Sequence, residues 1–568
     1  MTSGDPPPAE RIDREWWTEA TVYQIYPRSF NDTDGDGVGD LQRIVEKVPY
    51  LDDLGVDVVW LCPVYDSPQA DNGYDIRDYR AIDETFGTMA DWEALRDALH
   101  DRDMKLVMDL VVNHTSDEHE WFEKSRRREP GYEDFYYWRD EPADGGLPNN
   151  WESYFGGPTW TFDEVREQYY LHLFDTKQPD LNWRNPDVRE AVYGTMRWWL
   201  DKGIDGFRMD VVNLLSKTEG LPDGKESGQV GTEHFVGGPR IHEYLREMND
   251  EVLSDYDVMT VGETPGTDVE QAREYIEDGL GSVFHFQHML IDVDGDSRWD
   301  VADDESLGEW DLRDLKRVLT RWQEGMEDGG WNSVYLNNHD QTRPVSRFGN
   351  DAEYRVESAK LLATLLLTLR GTPYIFQGDE IGMTNVDFET FEEIRDVDAK
   401  NHAELLMEEH GTDDYQDVRD VVNARSRDNS RTPMQWDDSE HAGFTDGEPW
   451  IKVAENYRDI NVAAARADPD SVWHYYRDLI DLRHERDVLV YGEYDLLLPN
   501  DEAIYAYTRT LGDESMLVVL HFGEDSRSVD LGDVADGATL VRANYGGAEA
   551  ELSNLQLRPY EARVYDLH

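Results

Sequence analysis

The chain has 568 residues, with 123 acidic against 54 basic side chains and a formal net charge of −69. With no basic stripe to release counterions, it excludes nucleic acid and anionic membrane surfaces as partners. Length alone calls for a large catalytic domain plus one or more appendages, and 18 Trp with 30 Tyr exclude a disordered acidic chain. The longest strongly apolar run, residues 361–369, is far too short to span a bilayer. Residues 1–10 are polar and proline-rich, without a charged-then-apolar leader pattern. Cys62 is the single cysteine, which rules out an intrachain disulfide and fits a reducing interior. A soluble, cytoplasmic protein is expected, monomeric or weakly self-associating. The acids are dispersed, and only eleven of the basic residues are lysine. A surface thin in long alkyl stems suits solution in molar salt, where the Debye length is about 3 Å and self-repulsion is screened. A salt-adapted source is expected.

In chain order, residues 21–26 (TVYQIY) form an apolar, β-rich run after the aromatic lead-in Trp16 and Trp17. Then Asp32, Asp34, Asp36, Val38 and Asp40 alternate with glycines and Thr33. Such a stretch can wrap oxygen ligands around a hard cation, or it can be a solvated turn; Arg43 at the twelfth position excludes an EF-hand. A second acidic run, residues 292–296, lacks the final acid and reads as a turn. Residues 43–54 have helical spacing, and 56–61 (VDVVWL) form a near-continuous apolar run of the parallel-sheet kind. After Asp71-Asn72-Gly73-Tyr74-Asp75 come a helix over 91–100 and a strand over 105–112 that ends at Asn113-His114. Alternating strands and helices with short links make parallel βα units.

The alternation stops over 114–180, a stretch rich in aromatics, Gly, Pro and Asn, which reads as a loop-rich domain inserted after the third strand. It resumes with a helix over 186–202 and a strand over 204–210. Further strands follow near 258–261, 282–286, 333–336 and 373–376, the last after the apolar helix at 361–369. Eight strands in this rhythm predict an α/β chain, a (β/α)₈ TIM barrel made of 1–113 and 181–487. An irregular subdomain occupies about 379–461, and a helix over 472–486 closes the barrel. Residues 488–568, with runs such as 503–508 and 515–520 between Gly/Asp turns, predict a C-terminal antiparallel β-sandwich.

Arg208 and Asp210, two apart on a strand, share a face. A neighbouring guanidinium favours the ionised carboxylate, which suits a nucleophile, although such a pair is more often structural. Glu263 and Asp340 stand at two further strand ends, His114 follows the third strand and Asp75 lies in the loop after the second. In these barrels that rim carries function. Two carboxylates across a substrate, one attacking and one protonating the leaving oxygen, are what glycosidic cleavage needs. Glu263 has no cation nearby in sequence, so its pKa is free to rise for general-acid duty. His114 and His339 can donate hydrogen bonds to sugar hydroxyls or be satisfied structural groups. Tyr74, Phe155 and Phe174 can stack on a pyranose or simply be core.

The segments Asp71–Asp75, 109–114 (DLVVNH), 206–213 (GFRMDVVN), 261–263 (VGE) and 337–340 (NNHD) resemble the sequence blocks of the α-amylase-type glycoside hydrolases. More narrowly, 24–30 (QIYPRSF), 371–374 (GTPY) and 427–436 (RDNSRTPMQW) resemble the oligo-1,6-glucosidase and α-glucosidase branch. The resemblance implies a retaining mechanism with Asp210 as nucleophile, Glu263 as acid/base and Asp340 helping to distort the sugar. It implies that Asp75, His114, Arg208 and His339 hold the sugar, and that Asp71 and Arg427 close the pocket around a non-reducing end. It also implies a structural Ca²⁺ (or Mg²⁺) on Asp32, Asp34, Asp36, the Val38 carbonyl and Asp40. Valine at 211 resembles relatives that cleave α-1,6 bonds; maltose- and sucrose-cleaving, trehalose-6-phosphate-cleaving and sucrose-isomerising relatives remain open. Asp379 and Thr264 depart from the pattern, and Thr264 is expected beside the leaving-group side. A non-catalytic, transporter-subunit-like relative is disfavoured, since all three acids are kept.

Overall fold

Strands apolar on both faces must be covered on both sides, and the eight runs meet that demand by closing on themselves. The computed structural model describes residues 14–568 apart from 144, 226–227, 294, 296, 300–306, 308 and 549–550. The residue 1–10 segment and part of the second acidic run therefore lie outside the described residues. The barrel strands are β1 (Val22–Ile25), β2 (Val58–Leu61), β3 (Lys105–Val111), β4 (Gly206–Asp210), β5 (Met259–Glu263), β6 (Ser282–Phe284), β7 (Ser333–Tyr335) and β8 (Thr372–Phe376). Their spatial order is β6-β5-β4-β3-β2-β1-β8-β7, and the pairings are parallel. A parallel bridge between Val283 and Asn332 and a 2.9 Å hydroxyl contact from Ser333 to Ser282 join β6 to β7. Inside the ring, Phe284 lies 5.7 Å from Trp60, 5.1 Å from Tyr335 and 4.6 Å from Tyr374. This aromatic layer is the floor of the upper rim.

The outer helices follow their start signals. Helix α1 (Leu41–Leu54) is capped by Asp40, which accepts from the Arg43 N–H at 2.9 Å. Helix α2 (Met89–His100) starts with a Thr88/Asp91 capping box, and α3 (Pro186–Asp201) with Asn185 and a first-turn proline. Then come α4 (Ile241–Glu251), α5 (Val269–Glu277), α6 (Leu312–Gly325), α7 (Arg355–Thr368), buried from Ser358 onward, α8 (Val397–His410) and α9 (Val472–Glu485). The region expected to be irregular thus contains a 14-residue helix, α8. Only Asp398, Ala399 and Ala403 of it are buried, so its sequence carries almost no apolar period.

The excursion after β3 opens and closes on itself, with antiparallel bridges from His114 to Asp180 and from Tyr136 to Leu181. It holds a small antiparallel sheet of Trp138–Arg139, Gln168–Leu171 and Trp160–Asp163. Buried Lys217, just after β4, locks its base by pairing with Asp180 at 2.6 Å and donating to Asn113 at 2.7 Å. At the C-terminal end, β9 (Glu493–Leu497), β10 (Ile504–Leu511), β11 (Glu514–His521), β12 (Ala538–Ala543) and β13 (Ala562–Leu567) form an antiparallel sheet. Leu555 and Leu557 of a small two-stranded sheet pack over it onto Ile504, Leu517 and Val519.

Candidate active site

Strand β4 turns Phe207 and Met209 outward and Arg208 and Asp210 into the ring. Gly206 begins it because a Cβ there would lie 2.0 Å from the Met259 carbonyl oxygen. Arg208 is buried, with its guanidinium 5.2 Å from the Trp60 ring. Its Nη1 donates to Asp109 and to Asp210 at 2.6 Å each, and its Nη2 lies 2.7 Å from Glu263. Glu263, read from sequence as lacking a cation, therefore shares the one that holds Asp210; the adjacent strand supplies it. Burial, the largest influence, raises Asp210 to about 6 against the pull of Arg208. Arg208 lowers it as expected, but burial outweighs the arginine and the net shift is upward. Burial lifts Glu263 further, to about 8, with Asp210 and Asp340 adding to the rise and Arg208 opposing it.

Val211 follows Asp210 in the left-handed region (φ 36, ψ 42), a conformation that costs a β-branched residue about 1–3 kcal/mol. The strain aims its N–H at Glu263 Oε2, 3.1 Å away. Its side chain faces the cavity and is backed by Tyr137, Trp151 and Phe235.

Asp340 lies opposite, past β7. Its carboxylate takes Arg427 Nη1 at 3.1 Å and Arg431 Nη2 at 2.8 Å, with His339 Nε2 at 3.2 Å. Burial opposes ionisation here too, but the two arginines on the carboxylate outweigh it and hold the carboxyl well below the usual range. Burial lowers His339 to about 3, so it is neutral. Gln24 Nε2 donates to Nδ1 at 2.8 Å, which leaves the ring proton on Nε2, facing Asp340. Tyr74 stacks on this ring at 5.0 Å and 4°. Arg427 Nη2 reaches Asp71 at 3.2 Å, and its guanidinium lies 4.9 Å from the Phe155 ring. Burial raises Asp71 to about 7, with Arg427 and Arg431 opposing.

These groups enclose a cavity of about 470 Å³. Asp71, Tyr74, His114, Phe155, Phe174, Asp210, Val211, Glu263, Asp340 and Arg427 all line it, while Arg208 and His339 stand directly behind. His114 is neutral, pushed down to about 4 by burial, and its Nε2 lies 3.1 Å from the Tyr74 carbonyl. Asp75 departs from expectation. Its carboxylate accepts from Ser67 Oγ (3.0 Å), Ala70 N (2.8 Å) and Asp71 N (3.0 Å), so it shapes the loop and does not line the cavity. Thr264 also turns away, donating to the Phe284 carbonyl at 3.1 Å, and Pro265 and Gly266 line the wall in its place. Asp379 is buried against Asn337 and the Phe376 N–H. Sequence reasoning missed Arg431, Asp396, Gln178 and the mouth residues Arg298, Trp299 and Asp398. Arg431 had a usable signal, four residues after Arg427 and on the same helical face. The others come together only in three dimensions.

Asp32, Asp34 and Asp36 bring one carboxylate oxygen each within 4.8 Å of the others, a donor set suited to a hard cation. Burial first, then the neighbouring Asp34 and Asp32, raise Asp36, a repulsion that a cation would relieve. Gly37 (φ 89) lets the loop lie on 445–450, since a Cβ there would stand 1.8 Å from the Glu448 carbonyl oxygen. Asp40 does not join the trio. It caps α1 and accepts from the Thr33 N–H and hydroxyl at 2.6 and 2.8 Å. Val38 donates its N–H to Asp36 at 2.8 Å.

Comparison with known proteins agrees with this architecture. Residues 24–492 match the alpha amylase catalytic domain, and 504–564 match the alpha-amylase SusG C-terminal domain. The chain is 54% identical to the oligo-1,6-glucosidase of Parageobacillus thermoglucosidasius, over 98% of this chain and 100% of that one. Among solved structures, the trehalose-6-phosphate hydrolase of Bacillus licheniformis superposes with a TM-score of 0.92 at 45% identity, covering 98% of this chain and 100% of its own. An isomaltulose synthase of Erwinia rhapontici superposes at 0.93 and 42%, with the same coverages. The chain belongs to the α-amylase family of glycoside hydrolases.

Proposed function

We propose that this protein is an exo-acting, retaining α-glucosidase that releases terminal glucose from short oligosaccharides, with α-1,6 (isomaltose-type) bonds preferred and glucosyl transfer as a side reaction. The observation that carries it is the single guanidinium of Arg208 between Asp210 and Glu263, whose carboxyls burial holds near 6 and 8. At neutral pH Asp210 is largely ionised and Glu263 largely protonated. Asp210 attacks the anomeric carbon as Glu263 hands its proton to the leaving oxygen. Water then enters with Glu263 as base and releases glucose with its configuration retained. A shared guanidinium draws the two carboxyls together, which suits the roughly 5–5.5 Å of a retaining pair better than the 6.5–9.5 Å of an inverting one. Asp340, kept ionised by two arginines, stabilises the positive charge that develops on the sugar ring.

The blind end supports exo action. Asp71 and Arg427 close it, Phe155 roofs it, and Asn401 of α8 donates to the Phe155 carbonyl at 3.0 Å. Val211 supports the α-1,6 preference, because it directly follows the nucleophile and lines the same cavity. The mouth favours a neutral leaving sugar over a phosphorylated one. Glu233 and Asp398 face it against Arg298, whose Nη1 is already engaged by the Asp340 carbonyl. Sucrose isomerisation by the same covalent intermediate is the runner-up. We further infer a structural Ca²⁺ or Mg²⁺ on Asp32, Asp34 and Asp36 that pins the loop to 445–450, a cytoplasmic location, and a surface adapted to high salt. Initial rates on isomaltose, maltose, sucrose and trehalose 6-phosphate in molar KCl test the assignment. Isomaltose is expected to be cleaved fastest, and a faster rate on the phosphorylated sugar would overturn the neutral-mouth argument.

A further inference from the structure

Asp396 is fully buried at the N-cap of α8, and no step above uses it. Its carboxylate grips one edge of Arg427, taking Nε at 3.0 Å and Nη2 at 2.6 Å, and stands 3.5 Å from Arg431 Nη1. Those two guanidiniums are the ones that reach Asp340, and Arg427 alone also reaches Asp71. An arginine head is a rigid fork on a flexible stem, so a two-point grip on one edge sets the plane of the whole group. Asp396 is itself held: its own N–H and that of Arg395 donate to the Asp428 carboxylate at 3.1 and 2.7 Å.

We propose that Asp396 is a positioning residue for the glucose-binding end of the cavity. Resting on the glucosidase reading, it fixes Arg427 at the angle that offers one N–H toward Asp71 and another toward Asp340 while keeping the fork open to the terminal sugar. Without the acid, Arg427 loses its fixed plane and closes on Asp71, occupying the acceptor that the sugar hydroxyls need. Contacts to the terminal glucose are made in the bound ground state as well as the transition state, so their loss appears in KM.

The test is Asp396→Asn in the full-length protein, which keeps the shape and removes the charge. KM for isomaltose is expected to rise roughly tenfold or more, with kcat held within about threefold. Mere structural damage would do the reverse, lowering kcat through a smaller active fraction and leaving KM in place. A second measurement places Asp396→Asn in an Arg427→Ala background, where KM is expected not to move further. Should the single variant fail to fold, that background decides the matter, because there the acid has already lost its main partner. An unchanged KM in Asp396→Asn beside an active wild type, or a further full rise in the double variant, overturns the positioning role. A wild type that turns over no α-glucoside overturns the glucosidase reading instead.

Discussion

The pH dependence of kcat/KM follows directly from the two carboxyls on Arg208. Two influences compete at each: burial disfavours the charged form, and the guanidinium favours it. For Asp210 the balance leaves the carboxyl raised from 3.8 to about 6, and for Glu263 from 4.5 to about 8. In free energy the second rise corresponds to roughly 5 kcal/mol in favour of the protonated acid. Only the form with Asp210 ionised and Glu263 protonated reacts. Asp210 loses that state as pH falls through about 6, and Glu263 loses it as pH rises through about 8. Rates on isomaltose should therefore peak near pH 7 and fall to about a tenth by about pH 5 and again by about pH 9. Because the groups interact, the two limbs belong to the pair and not to either residue. Steady-state kcat/KM measured at constant ionic strength reads this profile of the free enzyme. An acid limb below about pH 4 would show that Arg208 outweighs burial at Asp210, and a plateau past about pH 9 would refute Glu263 as the buried acid.

Three further outcomes are expected. Val211→Thr should shift the isomaltose-to-maltose ratio of kcat/KM toward maltose by about 5- to 150-fold, the span of 1–3 kcal/mol; an unchanged ratio would place linkage selection elsewhere on the wall. Chelation should lower the unfolding temperature by a few degrees, with added Ca²⁺ restoring it, if a cation holds Asp32, Asp34 and Asp36 together; a curve unmoved by both would refute the bound cation. Raising KCl from dilute buffer to about 2 M should raise the unfolding temperature by screening the −69 charge, and full stability at low salt would refute salt adaptation.

Much was legible in the one-dimensional chain, because the signals were local. Apolar β-rich runs such as 58–61 and 206–210 read directly as strands, since a strand buried on both faces needs no partner to be recognised. The period of two put Arg208 and Asp210 on one face, and the motif blocks at 71–75, 206–213 and 427–436 pointed to the family. Local signals say less where one carboxylate has several partners: Asp40 of the acidic run also caps the helix beside it, and Asp75 of the 71–75 motif accepts backbone N–H groups of its own loop. Helix α8 escaped notice because it buries too few apolar residues to show a period. What only the tertiary structure decided was the electrostatics of the site. Glu263 has no cation near it in sequence, but strand pairing brings Arg208 within 2.7 Å, and burial still overrides that cation. The Arg427–Asp396–Asp340 network joins residues 31 to 87 positions apart. Residue types and strand order are written in the chain, but the balance of desolvation against charge depends on what surrounds each carboxyl, and that exists only once the barrel has closed.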